Sequence, residues 1–101
     1  MALTTEEFLS IAKALADARR LAILERIAEC EETACQHLRE EFPVSQPTMS
    51  HHLRMLADVG LIEMRREGLY AHYRLRVEVV RAYIASLELR TCLAATPLRR
   101  R

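Results

Sequence analysis

From Ser45 to Arg54 the chain reads Ser-Gln-Pro-Thr-Met-Ser-His-His-Leu-Arg, a dense run of hydrogen-bonding side chains. Amide, hydroxyl, imidazole and guanidinium groups bond to base edges in a DNA groove or to phosphate oxygens. Met49, Leu53 and Leu56 recur at i, i+4, i+7 as the apolar seam of a helix, leaving Gln46, Thr48, Ser50, His51 and Arg54 on its polar side. A helix built this way can enter the major groove N-terminal end first, and its N-terminus attracts phosphate. His52 has two readings, a DNA contact or a helix-packing and capping role. The other reactive set is three thiols, Cys30, Cys35 and Cys92. Thiolates are soft ligands suited to As(III), Sb(III), Cd(II) or Cu(I). They also serve as redox or persulfide switches where a thiol pKa is lowered, or simply as small buried apolar residues.

Catalysis finds little support. There is no Gly-rich phosphate loop, nucleophile elbow or paired acid motif. Ser50, His51 and His52 are adjacent in sequence, and neighbouring helix positions diverge by ~100°, so they do not converge on one site.

The elements that must position these residues follow from periodicity and punctuation. A first helix is expected over 4–16, opened by a Thr4/Glu7 capping box, with Phe8, Leu9, Ile11, Ala12, Leu15 and Ala16 at helical spacing. Asp17 caps a second helix over 18–29, with Leu21, Leu24 and Ile27 as its stripe and Ile23 and Ala28 beside it. A third, over 33–41, has Thr33 as its candidate cap and Ala34, Leu38 and Phe42 inward, and Pro43 stops it. Ser45 and Pro47 are start signals for a fourth over 46–58, and Gly60 is its stop. Residues 61–66 and 70–75 read as two strands turning at Glu67-Gly68. A fifth helix over 77–93 carries Val80, Tyr83, Ile84, Leu87 and Leu89. The fold expected is mainly α, about five helices plus a two-stranded hairpin that must pack on them to be stable. Residues 1–93 form the domain and 94–101 a flexible basic tail.

Composition permits this reading without demanding it. With 101 residues, 29% charged and a net charge of +1, the chain suits one globular domain. It is not the strongly basic chain that would announce nucleic-acid binding. Glu25, Glu29, Glu31, Glu32, Glu40 and Glu41 crowd residues 25–41, whereas Arg65 and Arg66 lie in the hairpin and Arg99 to Arg101 at the end. No apolar run approaches the ~20 residues of a membrane span, and the first ten residues lack a secretory pattern. A cytoplasmic location without membrane association is therefore expected. Three cysteines, an odd count, argue against a disulfide framework.

Taken together, Ala14 to Leu24, the block Ser45-Gln46-Pro47-Thr48-Met49-Ser50-His51-His52-Leu53, and the hairpin Arg65-Arg66-Glu67-Gly68 with Tyr73 carry a resemblance. Over about residues 10–90 the chain resembles the ArsR/SmtB family of dimeric winged helix-turn-helix repressors. The resemblance implies a homodimer built from the first and last helices, its two recognition helices reading a near-palindromic operator in duplex DNA with half-sites ~34 Å apart. It implies DNA contacts by Ser45, Gln46, Pro47, Thr48, Ser50, His51, His52 and Arg54, and wing contacts by Arg65 and Arg66. It also implies sensing of metals or metalloids, although this sequence departs from the family's usual ligand sets. Near the place in the third helix where a Cys-x-Cys pair recurs there is one cysteine, Cys35, offset by one, and the last helix has no histidine. The expected inducer is As(III) or another thiophilic metal held by Cys30, Cys35 and Cys92, one of them supplied by either subunit, with no metal required for folding. The alternatives are a thiol redox or persulfide response, a ligand-independent repressor, and a helical interaction module that binds no DNA.

Overall fold

The computed structural model describes residues 1–93. Its order is α1 (Thr5–Leu15), α2 (Ala18–Ala28), β1 (Thr33–Ala34), α3 (Cys35–Glu41), α4 (Gln46–Asp58), β2 (Ile62–Glu67), β3 (Tyr70–Leu75) and α5 (Val77–Arg90). The anticipated tail at 94–101 lies outside the described residues.

The start signals act as their chemistry requires. The Glu7 backbone N–H donates to Thr4 Oγ1 at 3.1 Å while the Thr4 N–H donates to Glu7 Oε1 at 2.8 Å, closing the capping box of α1. Asp17 accepts from the Arg20 N–H at 2.8 Å to open α2. Ser45 accepts from the Thr48 N–H at 3.3 Å to open α4. Beyond the C-cap of α4, Gly60 takes φ +82, the left-handed conformation that commonly ends a helix.

Three expectations are corrected. First, Thr33 is not the cap of α3. It is buried in β1 and pairs with Tyr73, Ala34 pairs with His72, and the sheet has three strands in the order β1-β3-β2. The Thr33 hydroxyl oxygen has no hydrogen-bond partner there. Second, the wing turns one residue later than expected. Glu67 and Tyr70 are the closing pair around Gly68-Leu69. Gly68 has φ +60 and Leu69 does not have positive φ, the pattern of a type II′ hairpin turn. Third, the buried stripe of α2 is Arg20, Ile23, Leu24 and Ile27, while Leu21 is exposed.

One core joins the elements: Ile11 from α1, Ile23 and Ile27 from α2, Leu38 from α3, Met49, Leu53 and Leu56 from α4, then Leu61, Ile62 and Val79. Only the base of the wing is anchored in it, since Ile62 is the one buried residue of β2 and β3. α5 ends at Arg90, short of the expected 93. It buries Val79 and Ala82 and leaves Ile84 and Leu87 half exposed. It meets α1 through a Phe8–Tyr83 ring stack at 4.9 Å and a hydrogen bond from Arg90 Nη2 to Thr5 Oγ1 at 2.9 Å.

Candidate nucleic-acid interface

α4 has two faces because its residues advance about 100° apiece. Met49, His52, Leu53 and Leu56 fill the buried side. Ser45, Gln46, Pro47, Thr48, Ser50, His51 and Arg54 are all exposed. Gln46, Ser50 and Arg54 follow one another at i, i+4, i+8, with Pro47 and His51 on the adjoining row. Ser45 and Thr48 are partly committed, since the Ser45 hydroxyl donates to Thr48 Oγ1 at 2.9 Å. What projects is a row of amide, hydroxyl, imidazole and guanidinium groups on a rigid, core-anchored helix.

His52 stands apart from that row. It is only 8% exposed and its Nδ1 lies 3.4 Å from Nη1 of Arg20, itself 9% exposed. The expected DNA contact by His52 is therefore corrected, because its ring is packed on the buried side of α4 against Arg20 and offers no side chain to the outer face. Its position was legible, because 52 is i+3 from Met49 and i−4 from Leu56 and so falls on their stripe. Burial lowers the imidazole pKa from its ordinary value, with Asp17 acting against that and Arg20 adding to it. Arg20 is the residue that sequence reasoning missed. It occupies the i−3 and i−4 positions relative to Ile23 and Leu24, a signal obscured because arginine is so seldom buried.

In the wing the two arginines differ. Arg65 makes a two-pronged contact with Glu32, Nη2 to Oε1 at 2.6 Å and Nε to Oε2 at 3.0 Å, and a third with Glu67 at 2.9 Å. Hydrogen bonds from Arg65 hold the Glu32 carboxyl below its ordinary pKa. Arg66, in the next register position opposite Ala71, has no ion-pair partner among the described residues. Exposed ion pairs are weak, so phosphate can displace Glu32 from Arg65, but Arg66 meets no such competition. Leu69 at the tip is 95% exposed.

The thiols are dispersed. Cys30 and Cys92 are exposed and Cys35 is half-buried. Among the described residues of one protomer, no group of three cysteine, histidine or carboxylate side chains is placed to hold a metal ion. A three-sulfur site confined to one protomer is thus not formed. Cys35 opens α3 and lines a cleft shared with Arg39, Gln46 and the wing residues Leu69, Tyr70 and Ala71. Burial, with a smaller effect of Cys35, raises the pKa of the Tyr73 phenol. Cys30 Sγ accepts a hydrogen bond at 3.3 Å from Arg26, whose guanidinium also grips Glu41 at 2.7 and 3.0 Å and so ties α2 to the end of α3.

A helix-turn-helix domain family model matches residues 15–65. An arsenical resistance operon repressor of Staphylococcus aureus is 37% identical over 84 residues, covering 83% of this chain and 80% of that protein. One from Staphylococcus xylosus is 41% identical over 73 residues, 72% of this chain and 69% of that protein. Among solved structures, an ArsR-like transcriptional regulator from Rhodococcus sp. RHA1 superposes with a TM-score of 0.79 at 26% identity, covering 88% of this chain and 83% of that one. A homodimeric winged helix-turn-helix DNA-binding domain from Mycobacterium bovis superposes with a TM-score of 0.69 at 29% identity, covering 94% and 89%.

Proposed function

The chain belongs to the ArsR family of winged helix-turn-helix regulators, and on that premise we propose that it is a dimeric, cytoplasmic repressor that reads a near-palindromic operator with α4 and is released by a thiol-binding inducer. It is a DNA-binding regulator and not an enzyme, as its relatives are. The observation that carries the reading is the outer row of α4, with Gln46, Ser50, His51 and Arg54 exposed over a seam whose members Met49, Leu53 and Leu56 are at most 1% exposed. Gln46 and Ser50 contact base edges, while Arg54, the helix N-terminus and Arg66 of the wing contact phosphates.

The test uses a duplex that the protein itself selects from a random-sequence pool. Replacing Gln46 or Ser50 with Ala is expected to cost about 1–3 kcal/mol of discrimination at one position of each half-site, and Arg66→Ala to reduce the salt dependence of binding by about one unit of slope. Selection that enriches no sequence, or binding indifferent to these three changes, rules the reading out.

The M. bovis domain is homodimeric, which supports a dimer here, and the half-exposed Ile84 and Leu87 of α5, with α1, are the surface we assign to it. The names of the staphylococcal relatives favour As(III) as the inducer. Because one protomer does not assemble three thiols, such a site draws on both protomers. Cys35 is its best-placed member, sharing a cleft with Gln46 of the reading helix and with the wing tip. Arsenite added at stoichiometric amounts is expected to release the wild-type protein from the selected duplex and to leave Cys35→Ser bound. Release of Cys35→Ser at the same arsenite concentration removes Cys35 from the site. Release by peroxide or persulfide but not arsenite points to thiol redox, and no release by any of them points to a ligand-independent repressor.

A further inference from the structure

Resting on the reading of α4 as the DNA-reading helix, we infer that Arg20 positions that helix by donating to the neutral ring of His52, so that operator binding weakens in acid as this ring takes up a proton. The guanidinium lies where α1 ends, α2 begins and α4 passes. Its Nε donates to the Ala14 carbonyl at 2.6 Å and its Nη2 to the Lys13 carbonyl at 3.5 Å. These carbonyls lie in the last turn of α1, where intrahelical partners run out, and the Lys13 carbonyl also accepts from the Ala16 N–H at 3.2 Å. Its Nη1 faces His52 Nδ1 at 3.4 Å. Two arms of one side chain thus hold the end of α1, and the third reaches the buried side of α4. A guanidinium has only donors, so the ring must offer a lone pair at Nδ1 and carry its proton on Nε2.

Protonation removes that lone pair and sets two cations against each other in a poorly solvated place. The groups that bear on the ring are Asp17 at the start of α2, which favours the proton, and Arg20, Arg19 and its neighbour His51, which oppose it. Burial is the largest influence and also opposes it. A ring freed from this seat regains an ordinary histidine pKa near 6.5, so the unseated state binds more protons than the seated one. The seat is fully stable above that pH and is lost as pH falls through the lower, seated value. Acid reduces the fraction of molecules whose α4 is ready to bind, and apparent affinity falls with that fraction. His51, exposed on the outer row, is the neighbouring histidine that serves as the control position.

The test measures affinity for the selected duplex at about pH 7.5 and about pH 5.5 for the wild type, His51→Gln and His52→Gln. The glutamine amide oxygen at 52 can accept from Arg20 but takes no proton. The wild type and His51→Gln are expected to lose about fivefold or more, the lower end of ordinary coupling between sites, whereas His52→Gln binds at both pH values with no such fall. A wild-type affinity that is flat or rises in acid overturns the inference, as does an equal fall in His52→Gln. Ring-proton titration of the free wild type gives a separate check that does not depend on a variant folding. His52 should titrate below the ordinary histidine value near 6.5 and shift the Ala14 and Arg20 amides as it does; a His52 titration at or above that value, or one that leaves those amides still, overturns the inference. Absence of any salt-sensitive duplex binding at about pH 7.5 overturns both this inference and the function it rests on.

Discussion

Ile84→Glu is expected to leave the protomer folded, halve the mass of the particle in solution and weaken binding to the selected duplex by about 10²- to 10⁴-fold. The magnitude is that of losing the second of two linked binding events. Ile84 is 52% exposed and Leu87 46% exposed. They lie i, i+3 on the outer side of α5, while the inner side is committed to the core through Val79 and Ala82. A carboxylate at 84 therefore costs the isolated protomer little, but in a dimer it would be desolvated in an apolar contact. Light scattering and circular dichroism on one sample separate the outcomes. A dimer that persists with full affinity would place the two-fold contact elsewhere.

Leu53→Ala is expected to destabilise the domain by about 2–5 kcal/mol, the usual range for removing a buried leucine side chain. Leu53 is 1% exposed, between Met49 and Leu56 on the seam that seats α4. Domains of this size hold only about 5–15 kcal/mol in total, so the loss is a large share of the whole. A fall in melting temperature of about 10 °C or more should follow. It is to be measured at one protein concentration, because the stability of any dimer depends on concentration. A fall of only a degree or two would mean that the seam does not anchor the helix.

The local pattern of residues accounts for much of the architecture. The Thr4/Glu7 box, the Asp17 and Ser45 caps, Pro47 in the first turn and Gly60 past the last are short-range signals, and the helices open and close where they stand. The polar outer row of α4 was legible for the same reason, since a 3.6-residue period assigns faces without knowledge of neighbours. β1 was not legible. Two residues carry no period, and Thr33-Ala34 becomes a strand only because β3, some forty positions away, offers Tyr73 and His72 as partners. The difference between Arg65 and Arg66 was hidden likewise, because Glu32 reaches Arg65 across the fold. Three scattered cysteines looked alike in sequence, but Cys30 and Cys92 are exposed while the half-buried Cys35 shares a cleft with Gln46 of α4.

Helix positions, caps, the seam of α4 and the membership of a regulator family were written in residues a few places apart, where backbone geometry alone relates one side chain to the next. Which charges are paired, that Arg20 packs against the buried His52, and which apolar residues of α5 remain uncovered were decided by contacts between distant segments. Such contacts depend on how the helices and wing pack together, and no short-range pattern encodes that.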